Sequence, residues 1–91
     1  MEIQIKLESL DSREDIEALD GVIQSRMAQA NRFKVNMEEV TSINLARFNS
    51  LIKLYVKMKR NNKDISFINC RSPKILDLIS KTQFSNVFKS E

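Results

Sequence analysis

The chain has 91 residues, of which 42% are apolar and 30% charged, with a formal net charge of +3. These values are ordinary for a globular protein with one modest core, and a single glycine and a single proline exclude a collagen-like or Gly/Pro-rich disordered chain. The absence of histidine removes Ser-His-Asp and Cys-His catalysis, zinc sites of the Cys/His type and histidine-based pH switching.

The first segment, Ile3-Gln4-Ile5-Lys6-Leu7, alternates apolar and polar residues, the period of a half-buried strand. Asp11 and Ser12 then offer N-cap side chains, and Ser12-x-x-Asp15 has the spacing of a capping box. Ile16, Leu19, Ile23 and Met27 form one helical stripe that stays in phase across Asp20-Gly21, which predicts one helix over 13–29 rather than a turn. Asn31 is a plausible helix stop, and Phe33-Lys34-Val35-Asn36-Met37 alternates again as a second strand.

After Glu38-Glu39 comes Val40-Thr41-Ser42-Ile43, a β-prone connector expected to pack against the sheet. Asn44 caps the next helix, whose apolar stripe is Phe48, Leu51, Ile52, Tyr55 and Met58. Lys53, Lys57 and Arg60 recur on its other side, and Asn61-Asn62 ends it because asparagine tolerates a left-handed cap. Ile65-Ser66-Phe67-Ile68-Asn69-Cys70 reads as a third, more central strand. Ser72-Pro73 marks a helix start with serine as cap, and Ile75, Leu76, Leu78 and Ile79 give that helix a broad buried face. Phe84, Val87 and Phe88 close the chain in an extended segment.

The order β-α-β-α-β-α-β predicts one α/β domain over 1–91, with a mostly parallel four-stranded sheet and about three main helices. The polar alternates Gln4, Lys6, Lys34 and Asn36 imply that helices cover only one sheet face there. No apolar run approaches the roughly 18 residues of a membrane helix. Met1 does not open a signal peptide, and the lone Cys70 cannot form an intrachain disulfide, so a reducing cytoplasm is the expected location.

Charge is unevenly distributed. Residues 1–42 carry five basic against nine acidic groups, a net of −4, and residues 43–91 carry ten against three, a net of +7. The basic stripe has Tyr55 on its opposing apolar side rather than interleaved with it, so a solvated helix face is the preferred reading over nucleic-acid binding. The acid groupings Glu38-Glu39 and Asp15/Glu17/Asp20 lie on polar faces or turns, without the burial that a general acid needs. With Gly21 the only glycine, neither a Walker loop nor a dinucleotide fingerprint can be written, and no cofactor is expected. Cys70 reads as a buried, inert thiol.

The remaining feature is Val40-Thr41-Ser42-Ile43-Asn44-Leu45-Ala46-Arg47-Phe48-Asn49-Ser50-Leu51, a connector passing into a capped helix. Such a helix N-terminus favours a phosphate or a partner's acid group, although on physics alone a plain capped helix is the preferred reading. This dodecamer and the order of elements around it resemble the STAS domain of bacterial anti-sigma factor antagonists, whose pattern here reads approximately V-T-(apolar)-I-D-S-(S/T)-G-L-x-x-L. Val40, Thr41, Ile43 and Leu51 match, Asn44 sits at the aspartate, and Phe48 replaces the apolar residue after the glycine. Leu7 through Asp11 look like the segment before the family's first helix, and Lys59 through Lys63 occupy its charged turn. Ile65 through Asn69 match the following strand, Ser72-Pro73 the helix start, and Thr82-Gln83-Phe84-x-x-Val87-Phe88 the closing T-G-L-x-x-(V/I)-F.

In that family the hydroxyl residue after the aspartate accepts phosphate from a partner kinase. Here Leu45 and Ala46 stand at the two hydroxyl positions and Arg47 at the glycine, so the phosphoswitch does not carry over. Thr41 and Ser42 precede the helix as substitute hydroxyls, disfavoured because the connector is expected to pack against the sheet. The resemblance therefore implies a non-enzymatic interaction module with a degenerate phosphosite, docking through Asp11, Ser12, Asn44, Leu45, Ala46, Arg47 and Phe48. Its implied partner is an anti-sigma factor kinase. The alternative is the ATPase of a bacterial lipid-transport ABC system, on which small STAS subunits dock. An enzyme is the third reading, without a recognisable constellation to support it.

Overall fold

A computed structural model of the chain describes residues 2–84, 88 and 89. Three five-residue strands, β1 (Glu2–Lys6), β2 (Arg32–Asn36) and β3 (Asp64–Ile68), form a parallel sheet in chain order. Between them run helices α1 (Arg13–Arg26) and α2 (Leu45–Arg60), and α3 (Pro73–Ser80) follows β3. A two-residue stretch, β4 (Phe88–Lys89), lies parallel beside β3, with Phe88 opposite Phe67 and Lys89 opposite Ile68. Of the expected closing segment, Phe84 falls in a turn and Val87 lies outside the described residues.

The strand alternation does what its period implies. Phe33, Val35, Ile65 and Phe67 are buried in one core together with Leu19 and Ile23 of α1, Phe48, Leu51, Leu54 and Met58 of α2, and Ile75 and Ile79 of α3. All three helices therefore cover one face of the sheet. On the other face Gln4 and Lys6 are exposed and Lys34 and Asn36 half-buried, as a one-sided cover requires. Ile65 through Ile68 are all buried, so β3 is shielded on both faces, and it lies inside the sheet between β2 and β4. Register sets Phe33 beside Ile65 and Val35 beside Phe67, so the largest core side chains sit on adjacent rungs.

Local signals end the elements. Ser12 and Asp15 form both halves of the expected capping box at the start of α1. At the far end α1 stops at Arg26, three residues before the expected 29, because Gln29 N–H bonds the Arg26 carbonyl in a turn that brings Ala30 into the core. Asn62 takes the left-handed conformation, φ 58°, that closes α2, and Lys63 N–H returns to the Met58 carbonyl. Asn69 adopts the same conformation just after β3, which ends that strand at Ile68 and leaves Cys70 in the loop.

Two expectations need correction. The α3 face is narrower than predicted: Ile75 and Ile79 are buried, Leu78 is half-buried and Leu76 is exposed, because a helix of eight residues resting on one layer presents only a single stripe. Leu54 joins the core although it lies off the predicted stripe of α2, since that helix packs against α1 as well as the sheet. The connector rests on the core through its apolar ends, as expected: Val40 is buried and Ile43 packs against the core. Asn36 Oδ1 accepts from Glu38 N–H at 2.9 Å and Val40 N–H bonds Met37 O at 3.1 Å, a turn that buries Val40 but leaves Thr41 and Ser42 exposed.

Gly21 sits inside α1 on its exposed side, and a Cβ placed there meets nothing within 4 Å. Replacing it by alanine removes unfolded-state entropy without a clash. Urea denaturation of Gly21→Ala should show a gain of about 0.5–1 kcal/mol over the parent chain, with an unchanged slope.

Candidate partner-docking site

A parallel sheet sends every strand-to-helix loop out at the same end, so the segments after β1, β2 and β3 meet there. Two contacts tie them. Ser42 Oγ donates to Asp11 Oδ1 at 3.5 Å, linking the β2–α2 loop to the β1–α1 loop. Ser72 Oγ donates to the Thr41 carbonyl at 2.8 Å, linking the β3–α3 loop to the same segment. The expected cap role of Ser72 is therefore replaced: its side chain makes no cap bond to α3 because its hydroxyl is committed to Thr41.

The β1–α1 loop is organised around one carboxylate. Asp15 Oδ2 accepts from Asp11 N–H at 2.9 Å, Ser9 Oγ at 3.1 Å and Ser12 N–H at 3.2 Å, while Ser12 Oγ accepts from Asp15 N–H at 3.3 Å. The Ser12 N–H above all, with the Asp11 N–H and the two hydroxyls, holds the Asp15 carboxyl below its ordinary range, against an opposing contribution from partial desolvation. That is the reverse of what a general acid requires. Asp11 itself is exposed and Ser12 half-buried.

At the start of α2, Asn44 Oδ1 accepts from Arg47 N–H at 2.8 Å, the expected cap. Leu45 is 62% exposed, an uncommon state for a leucine, and Ala46 beside it is also exposed. The first turn holds no acidic residue, so no side-chain charge in it offsets the positive helix end. Arg47 is half-buried and forms no ion pair with any acid among the described residues. Phe48 faces inward: it is 3% exposed and stacks on Phe88 at 5.8 Å, which in turn stacks on Phe67 at 5.0 Å. The expectation that Phe48 forms part of the docking surface is corrected by that stack. It supports the helix start from beneath, as its place on the apolar stripe of α2 dictates.

Of the sequence-predicted site, Asp11, Ser12, Asn44, Leu45 and Ala46 lie at this end of the sheet with Arg47 at its rim. Ser42, Thr41 and Ser72 were not part of it, although they are the groups that hold the loops together. Only a long-range contact reveals them, and sequence spacing carries no trace of one.

The other constellations are occupied by structural duties. Glu39 pairs with Lys6 at 3.4 Å, and Asp20 with Lys57 of the basic stripe at 3.5 Å. Lys59 lies 3.0 Å from Asp64 and 5.7 Å over the ring of Tyr55, and the Asp64 carboxylate raises its pKa. Tyr55 is thus covered by Lys59 and meets Phe84 edge-on at 6.1 Å, which leaves it unlike an open base-stacking platform. Cys70 is buried, and burial pushes its thiol pKa up. Among the described residues no group of three metal-ligating side chains occurs, and no helix is long and apolar enough to cross a membrane. No family model, no curated protein and no solved structure matches the chain.

The lowered pKa of Asp15 fixes the sign of one pH effect. Its ionised form is favoured in the folded chain, so its contribution is fully present above the ordinary value of 3.8 and is lost as pH falls through the lower folded value. Thermal melts should therefore find Asp15→Asn less stable than the parent at neutral pH, with the gap closing only below about pH 4.

Proposed function

We propose that the chain is a STAS-like interaction module, acting by binding rather than catalysis, whose docking surface is the exposed start of α2 with the two loops beside it. The observation that carries this reading is the joining of Asp11 to Ser42 and of Thr41 to Ser72, which ties three loops together just ahead of the exposed Leu45 and Ala46 that open α2. An exposed leucine at a capped helix start, with a half-buried arginine in the same turn, suits a protein partner with an apolar contact and a carboxylate. The reading includes a full fourth strand closing the sheet, a cytoplasmic setting and a kinase-like anti-sigma regulator as partner. Leu45 and Ala46 have no hydroxyl, so the partner does not switch binding by phosphorylating the family position. Thr41 and Ser42, just ahead of it in the chain, are exposed hydroxyls.

Arg47 is the energetic anchor in this proposal. Its guanidinium can take a carboxylate in a bidentate grip, and an acidic group there also relieves its unfavourable placement near the positive helix end. The partner is first captured from extract of the native cell with the tagged chain and identified by mass spectrometry. Binding of the purified partner to Arg47→Glu should then be weaker by on the order of 2 kcal/mol, and binding to Lys57→Glu, further along α2, nearly unchanged. Equal affinity of both variants and the parent would remove the docking assignment. A transport ATPase as the captured protein would change the partner but not the docking surface.

A further inference from the structure

β1 lies at the outside of the sheet, paired on one side with β2. Its other edge is a row of backbone donors and acceptors, and among Glu2–Lys6 there is no proline or bulge to block it. The direction of those groups follows from the ladder. Leu7 N–H bonds the Asn36 carbonyl at 3.0 Å, so Leu7 faces β2. Along a parallel strand the N–H and C=O of one residue point to one side and those of the next to the other. Ile3 and Ile5 therefore share the inward direction, and Glu2, Gln4 and Lys6 turn both groups outward.

From this geometry we infer that the chain forms a two-fold dimer in which two β1 strands pair antiparallel, edge to edge, centred on Gln4. In that register Gln4 meets Gln4 of the second copy, Glu2 meets Lys6, and Lys6 meets Glu2. All three are the outward-facing residues, so each rung exchanges two backbone hydrogen bonds. Ile3 falls opposite Ile5 at the intervening rungs, where side chains approach more closely, on the helix-covered face. Shifting the register by two residues along the strand loses both charge pairs.

Charge complementarity is what selects a second copy over any other strand. Within one chain Glu2 lies 3.8 Å from Lys34 and Lys6 lies 3.4 Å from Glu39. Edge pairing joins these into an alternating row, Lys34, Glu2, then Lys6 and Glu39 of the second copy, repeated once by the two-fold axis. The apolar side fits as well. Between β1 and α1 runs a groove of about 270 Å³ whose lining includes Ile5, Leu7, Ala18, Leu19 and Val22. Val22 at its side is 43% exposed, and Ile3 and Ile5 are only half-buried. The isoleucines of a second β1 would extend the apolar layer past this groove. This interface shares no residue with the start of α2, so it stands or falls separately from the docking surface above.

Sedimentation equilibrium over a dilution series tests it. The parent chain should approach twice its 10.6 kDa mass on concentration. Gln4→Pro removes an N–H that faces outward, so it spares the intrachain ladder while breaking the central rung. It should keep the parent circular dichroism spectrum and stay monomeric. Glu2→Lys should weaken the dimer about tenfold by opposing like charges at two symmetric rungs, and Glu2→Lys with Lys6→Glu should regain part of that loss, since both interchain pairs return while Lys34 and Glu39 now face like charges within each chain. A parent chain that is monomeric throughout, a folded Gln4→Pro chain that still dimerises, or a charge exchange that regains none of what Glu2→Lys loses would each overturn the inference. If Gln4→Pro does not fold, the charge exchange decides alone.

Discussion

The pairing of β2 with β3 is the constraint on which the rest of the molecule depends. It sets Phe33 against Ile65 and Val35 against Phe67 on the face that the helices cover. Phe67 then carries Phe88, and Phe88 carries Phe48, so one aromatic column runs from the middle of the sheet to the first turn of α2. Stacked aromatic pairs add about 0.5–1.5 kcal/mol each beyond the area they bury. The start of α2 is thereby fixed to the most buried part of the protein, while Leu45 and Ala46, on the opposite side of the same turn, remain exposed. A rigid base beneath an exposed apolar contact reduces the ordering cost of binding.

Where a signal is local in the chain, the sequence mostly carries it, the early stop of α1 at Arg26 being the exception. The capping box needs only Ser12 and Asp15, three residues apart, and it forms as read. The left-handed stop at Asn62 and the cap at Asn44 are of the same kind. Alternation placed the faces of β1 and β2 because a half-covered sheet forces it. Reading failed where the partner lies far along the chain. Ser72 has the composition of a cap, but a carbonyl 31 residues away takes its hydroxyl. Leu54 is off the predicted stripe yet buried, because α2 meets α1 as well as the sheet. Phe48 was legible as apolar and in phase, and its membership of the core follows from that phase rather than from its place in a motif. Cys70 read correctly as buried, since it follows the most apolar strand.

The uneven charge of the two halves takes on a meaning once they are packed. Asp20 of the acidic half lies against Lys57 of the basic half at 3.5 Å, and Arg32 and Lys59 converge on Asp64 at 3.9 and 3.0 Å. All are half-exposed surface pairs, worth about 0.2–1 kcal/mol apiece and weakened by salt. They do not hold the fold together. Their effect is to cancel part of the field that the unpaired sequence suggests, which lowers the attraction of the basic stripe for a polyanion.

The sheet also determines how this chain must reach its native state. Thirty residues separate Glu2 from its neighbour Arg32, and thirty-two separate Arg32 from Asp64. No two strands are joined by a hairpin, so not one rung of the ladder can form from residues adjacent in sequence. Each of these rungs requires a loop of that length to close first, and Phe67 and Phe88 are still twenty-one residues apart, at an entropy cost that no early strand contact offsets. The helices, by contrast, gather from contacts three and four residues apart. Helical turns can thus form before any rung of the sheet, and the non-local parallel pairing sets the topology of the chain between that of helical bundles and that of all-β barrels.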